Sequence, residues 1–194
     1  SDTNSPDERR VSSRPSRGNR LNRGTVVHGF GRGSRELGCP TANIDKESVE
    51  QQLPQDFKFG IYYGWAMFTD KSKEGMGKLY KMVASVGICP FYKNKSVSVE
   101  VHLIHEFPED FYGAKLKIVF LGYLRAEKNF SSVDDLIAAI RQDIADAEEA
   151  LDTSASQAAK MDVFFSRNGD DDDHDDDDDD APRLQAPLEI SKTI

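Results

Sequence analysis

The sequence predicts a mainly β domain, built as a small antiparallel barrel or sandwich and followed by one helix. Residues 96–104 alternate cleanly, with Val97, Val99, Val101 and Leu103 on one face and Ser98, Glu100 and His102 on the other, the period-2 pattern of a strand with one buried side. Four more runs of β-branched and aromatic residues stand along the chain. One segment carries an apolar stripe at helical spacing, so the crossover helices that a parallel sheet requires are missing.

In chain order, Thr25-Val26-Val27 is a short β-branched run. Residues 60–68, Gly-Ile-Tyr-Tyr-Gly-Trp-Ala-Met-Phe, form an aromatic strand opened by glycine. Lys81 to Val86 and the alternating 96–104 run follow, then Lys115 to Leu121. Val133, Leu136, Ile137, Ile140, Ile144 and Leu151 share one stripe of a helix that ends before Thr153. Ser132, with Asp135 three residues on, forms an acidic variant of the capping box at its start. Val163-Phe164-Phe165 is expected to dock back onto the strands.

Charge and composition set the boundaries. Residues 1–22 hold Arg9, Arg10, Arg14, Arg17 and Arg20 among Ser, Pro and Asn, too polar to offset the entropy of ordering, and read as a disordered arm. Residues 23–167 are the folded domain and 168–194 an acidic tail, of which 170–180 is ten aspartates around His174. With those ten set aside, the formal charge of −9 becomes about +1, so the folded part has no large basic field for nucleic acid. No stretch is apolar for long enough to span a bilayer, and membrane attachment is not expected. Cys39 and Cys89 form no C-x-x-C pair, which argues against a zinc or redox motif and suits a reducing compartment. The expectation is a cytoplasmic monomer. The Arg- and Ser-rich arm has the composition of a mitochondrial address, but Asp2, Asp7 and Glu8 oppose that reading.

The chemistry concentrates in a few places. Gly29, Gly31 and Gly33 alternate in a loop with Arg32 and Arg35, which permits close backbone approach to an anion and offers guanidinium groups to phosphate. It is neither a Walker loop nor a dinucleotide fingerprint, and a glycine-rich turn by itself is most often a hairpin. Just beyond, Pro40-Thr41-Ala42-Asn43 sets a hydroxyl and an amide oxygen two residues apart, on one side of an extended segment, where they can meet a small hard cation such as Mg²⁺. The plainer reading is a Pro-initiated turn whose side chains serve local backbone groups. Glu100 is either a solvated carboxylate on an outer face or a general base on a rigid strand. His102 is read as structural, while His105 at the strand end can reach a nucleotide. The aromatic loop from Phe107 to Tyr112 suits the covering of a planar ligand, and Arg125 to Phe130 offers cations and an aromatic just before the helix.

Taken together and in order, these segments resemble riboflavin kinase (flavokinase). The resemblance rests on residues 27–34, 38–43, 60–66, 110–113 and 122–130 and covers roughly 23–165, in the manner of the single-domain eukaryotic form. It implies a six-stranded antiparallel Greek-key barrel with a carboxy-terminal helix, and transfer of the ATP γ-phosphoryl group to the riboflavin 5′-hydroxyl to give FMN and ADP. It further implies Mg²⁺, with Zn²⁺ or another divalent ion as alternatives, held by Thr41 and Asn43. Gly29 and Arg35 would line the ATP phosphates, with lysine the usual residue at the latter position. Glu100 would be the catalytic base, and Leu103, His105 and Tyr112 would touch the nucleotide. Arg125, Lys128 and Phe130 would line the flavin site, with Ala126 standing where the family has proline. The aromatic loop is expected to close over the isoalloxazine ring. Two other classes remain to be weighed: a flavin or nucleotide carrier without turnover, and an interaction protein acting through its arm or tail.

Overall fold

Six strands pair edge to edge until the last meets the first, in a computed structural model that describes residues 19–29, 38–70, 77–88 and 96–161. The strands are β1 (Arg20–Val27), β2 (Ala42–Ile44), β3 (Gly60–Phe68), β4 (Leu79–Ile88), β5 (Val97–Leu103) and β6 (Lys115–Arg125). They close in the order β1-β2-β5-β4-β3-β6, with every pairing antiparallel. Consecutive β3, β4 and β5 are neighbours, and β6 returns beside β3, which is a Greek key. Closure leaves no unpaired edge.

The alternation in β5 is what the barrel uses. Val99, Val101 and Leu103 turn inward among Leu21, Met82, Val86, Leu116, Ile118 and Phe120, while Glu100 stays on the outer face. β3 is buried on both faces. Tyr62, Ala66 and Phe68 enter the barrel, while Trp65 and Met67 join Val119, Leu151 and Ala159 in a second cluster outside it. That outer cluster lies under α2 (Val133–Leu151) and the short α3 (Ser154–Ala158), where Trp65 Nε1–H donates to the Ser156 carbonyl at 3.0 Å. Register shifts in the β1–β6 and β3–β6 ladders bend these strands, as a barrel of this size requires.

Several expectations change in detail. β1 begins at Arg20, so residues 20–22, assigned to the disordered arm, are strand, and Leu21 is fully buried. β2 is a strand of its own. A helix that the hydrophobic pattern did not signal, α1 (Lys46–Gln52), follows it, and Val49 and Leu53 enter the barrel core. Asp45 caps that helix: its carboxylate accepts the Ser48 N–H at 2.9 Å and the Thr25 N–H at 2.6 Å, tying β1 to α1. Burial alone would raise the Asp45 carboxyl, but these N–H groups outweigh it and hold the group below the usual carboxylate range.

α2 runs to Leu151 with Ser132 as its N-cap, as expected, but the capping box is only half formed. Ser132 Oγ accepts the Asp135 N–H, while the Asp135 carboxylate accepts from the Ser131 hydroxyl. Its apolar stripe does not all pack on the barrel either. Its buried residues are Asp143, Ala147 and Leu151, and Val133 is 60% exposed. Among the described residues no helix is long and apolar enough to cross a membrane. The arm before residue 19, the loop 30–37 that contains Arg35, Cys89, the run Val163-Phe164-Phe165 and the acidic tail all lie outside the described residues.

Candidate active site

Cross-strand register brings the chemistry together. Asn43 on β2 pairs with Glu100 on β5, Glu100 with Ser85 on β4, Ser85 with Ile61 on β3, and Ile61 with Arg125 on β6. Directly paired residues point to the same face, and the neighbours of Asn43, Glu100, Ser85 and Ile61 are buried, so this row lies across the outside of the barrel. Five strands that are far apart in sequence thus contribute one line of side chains. From the Glu100 position to the Arg125 position is three strand spacings, roughly 14 Å.

Two pockets adjoin this row, and Thr41 and His102 line both. The helix-side pocket has a volume of about 280 Å³. Its barrel wall carries Ile61, Val83, Ser85 and Glu100, and its roof is Leu136, Ile140 and Ile144 of α2, with Arg125, Lys128 and Phe130 at the end. The apolar helix stripe is therefore divided: its C-terminal part anchors the helix, and its N-terminal part faces a cleft. The loop-side pocket, about 630 Å³, is lined by Leu103, His105, Phe107, Phe111 and Tyr112.

The expected residues sort accordingly. Glu100, Arg125, Lys128 and Phe130 share the helix-side pocket; Leu103, His105 and Tyr112 border the other. Leu103 is also a core residue, 4% exposed, so only its edge is available there. Tyr112 stacks on His28 with ring centroids 3.6 Å apart. The aromatic loop is anchored on the loop-side pocket, not over the helix-side one. Phe107 and Phe111 pack edge-on against Phe68 at 5.7 and 5.1 Å, which holds the loop at the barrel end near β4, apart from the pocket that Arg125 and Phe130 line.

Thr41 and Asn43 occupy the same outward face, because Ala42 and Ile44 are buried in the core. Both offer hard, neutral oxygens. Gly29 lies directly against the Asn43 amide, and a Cβ built there would fall 2.8 Å from Asn43 Cγ. The absence of a side chain at 29 is what lets the backbone before the glycine loop reach Asn43. This donor set and this cradle fit a small oxygen-preferring cation such as Mg²⁺. Among the described residues no cluster of three or more His, Cys, Asp or Glu side chains is placed to bind a metal.

Three contacts lay beyond sequence reasoning, the first of them at His102, which the sequence reads as structural. His102 Nδ1 lies 2.9 Å from the Pro40 carbonyl, and since a carbonyl only accepts, this bond needs the proton on Nδ1. It fastens the segment that presents Thr41. Glu127 accepts the Ser85 hydroxyl at 3.2 Å and rests on Gly87, where an added Cβ would lie 2.8 Å from the Glu127 carboxyl carbon. That contact pins the 125–130 segment to β4. Asp143 of α2 takes both a nitrogen Nε–H and an Nη2–H of Arg125, at 2.7 and 2.6 Å. The one available signal was a charged residue inside an apolar stripe, next to Ile144.

Comparison with known proteins adds an independent line. The family described as Flavokinase: Riboflavin kinase matches residues 19–151. The chain is 50% identical over 143 residues to the riboflavin kinase of Mus musculus, covering 74% of this chain and 88% of that protein. The Homo sapiens riboflavin kinase is 49% identical over the same length and coverage. Among solved structures, the riboflavin kinase from Trypanosoma brucei matches at 34% identity with a TM-score of 0.60, over 75% of this chain and 87% of that one.

Proposed function

Since the chain belongs to the riboflavin kinase family, we propose that it transfers the γ-phosphoryl group of ATP to the 5′-hydroxyl of riboflavin, giving FMN and ADP. The observation that carries this reading is the meeting of two pockets at Thr41 and His102, with Glu100 on the wall of one of them. A two-substrate transfer needs such a junction. The helix-side pocket, largely apolar, takes the isoalloxazine ring between the barrel face and α2, with Arg125, Lys128 and Phe130 at its end. A row of roughly 14 Å suits a tricyclic ring with its ribityl chain reaching toward Glu100. The loop-side pocket takes the nucleotide beside Leu103, His105 and Tyr112, with Gly29 toward its phosphates; for Arg35 the resemblance alone implies a phosphate-binding role.

Phosphoryl transfer asks chiefly for alignment and charge neutralisation. Thr41 and Asn43 would hold Mg²⁺, which when bound offsets charge on the β- and γ-phosphates. Glu100 accepts a hydrogen bond from the ribityl 5′-hydroxyl and orients it in line with the γ-phosphorus. As the new O–P bond forms and the bond to the bridging β–γ oxygen breaks, the hydroxyl proton passes to the Glu100 carboxylate, and ADP leaves. β5 is paired on both sides, by β2 and by β4, and this fixes the carboxylate's position. The His102 bond to Pro40 keeps Thr41 at the junction.

The test is incubation with riboflavin and MgATP, with FMN resolved chromatographically, wild type beside Glu100→Gln. The wild type produces FMN, and Glu100→Gln lowers kcat by about 10²–10⁴-fold while riboflavin binding persists. A wild type that binds riboflavin and makes no FMN would leave the carrier reading in its place, and an unchanged kcat in the variant would remove Glu100 from the proton transfer.

A further inference from the structure

Asp143 is a carboxylate where α2 has every reason to carry an apolar residue. It lies beside Ile144 on the barrel-facing side, is 6% exposed, and meets Arg125 of β6 through two hydrogen bonds at 2.7 and 2.6 Å. Stability does not call for such a pair: a buried ion pair replaced by packed apolar side chains is often neutral or better. Helix anchoring does not call for it either, since Ala147 and Leu151 are fully buried farther along.

The pair does fix the Arg125 guanidinium. A guanidinium has five N–H donors. Asp143 takes one from Nε and one from Nη2, and the Ala126 carbonyl takes one from Nη1 at 3.0 Å. Two donors remain, one on each terminal nitrogen, at the end of the helix-side pocket where the Phe130 ring lies 5.8 Å from the guanidinium carbon. Their plane is set by the bidentate contact, because a fork on a carboxylate allows little rotation. The carboxylate also offsets the positive charge.

We propose that Asp143 is a positioning residue for the acceptor substrate: it holds the Arg125 guanidinium so that its two remaining N–H groups meet acceptor atoms of the uncharged flavin ring system, and it offsets the charge of that guanidinium. This rests on the reading of the helix-side pocket as the flavin site. Neutralisation matters because an unpaired guanidinium would favour anionic ligands over a neutral carbonyl-bearing ring.

The experiment measures steady-state KM for riboflavin and for MgATP, with melting curves, on the full chain. Asp143→Asn raises the riboflavin KM about tenfold, the usual cost of a charge-assisted bond, and leaves the MgATP KM unchanged. Arg125→Ala raises it as well, and the double variant matches Arg125→Ala alone, because Asp143 acts only through Arg125. A purely structural role would lower the melting temperature and the active fraction with both KM values intact, and that result overturns the proposal. Should Asp143→Asn fail to fold, Arg125→Met with Asp143→Leu keeps the site packed; a normal riboflavin KM in that folded pair also overturns it. If Arg125→Ala itself leaves the riboflavin KM unchanged, the flavin-site reading falls and takes this inference with it. If Arg125→Ala raises the KM and Asp143→Asn does not, only this inference falls.

Discussion

The two pockets are built differently. The helix-side pocket has walls of regular secondary structure: the outer face of β3, β4 and β5 on one side and α2 on the other. The loop-side pocket has more than twice the volume, about 630 against 280 Å³, and is walled largely by the chain between β5 and β6, whose aromatic rings pack on one another. Strands and a capped helix hold a largely apolar cleft rigidly, which suits an aromatic ring system. A loop pocket with histidine, tyrosine and carboxylates suits a polar ligand and can adjust to it. Thr41 borders both pockets and Glu100 the helix-side one, and both are strand-borne or strand-flanking, so these candidate groups sit on the stiff side of the division.

That contrast can be broken by substitutions that touch one side only. The largest effect is expected for Asn43→Ala, which removes an oxygen donor paired across the ladder with Glu100. Turnover with MgATP falls by about 10²-fold, while riboflavin binding, followed by quenching of flavin fluorescence, is unchanged. Equal loss of both would mean that the barrel itself had been damaged. Gly29→Ala acts in the same direction by pushing the Asn43 amide aside, and raises the MgATP KM by about tenfold. A normal KM would show that the Asn43 position is not critical.

On the other side, Ile140→Ala shortens the α2 roof. At about 0.8 kcal/mol per buried CH₂, a loss near 1 kcal/mol from this half-buried side chain raises the riboflavin KM about fivefold and leaves MgATP alone. The reverse selectivity, read from paired titrations of the two substrates, would exchange the assignments of the two pockets.

The smallest effect belongs to a residue outside both. Asp45→Ala loses the α1 cap and the bond to β1 and costs about 1 kcal/mol of stability at neutral pH, with both KM values unchanged. The Asp45 carboxyl is held below its ordinary value, so its contribution is complete above the unfolded pKa of about 3.9 and is lost as pH falls through the lower folded value. Denaturant melts of wild type and variant should therefore differ at pH 7 and converge in acid below about pH 4. A constant difference across that range would mean that the effect is one of packing rather than charge.

Legibility in the sequence followed the locality of the cause. β3, β4, β5, β6 and α2 were readable because alternation and helical periodicity are written within a few residues of one another. α1 was not, since a seven-residue helix with one buried side chain leaves no periodic trace, although Asp45 three residues before Ser48 is a capping signal. β2 has only three residues, and its pairing with β1 and β5, not its own propensity, makes it a strand. The candidate residues Glu100, Thr41, Asn43 and Arg125 were identified from motif and resemblance, each with a plain alternative. The contacts of His102, Glu127 and Asp143 were not legible because their partners, Pro40, Ser85 and Arg125, lie 62, 42 and 18 residues away.

Patterns along the chain were enough to mark the longer strands and α2, the apolar face of β5 and the side chains that bring chemistry, because those properties depend on near neighbours. Only the tertiary structure decided that Asn43, Glu100, Ser85, Ile61 and Arg125 form one row, that α2 spends half its apolar stripe on a cleft, and that the aromatic loop belongs to the second pocket. The physical reason is register. A one-residue slip in any ladder would send a strand's side chains to the opposite face, and the alignment of five strands is set by burying the barrel core and closing its last pair, a condition on the whole chain at once.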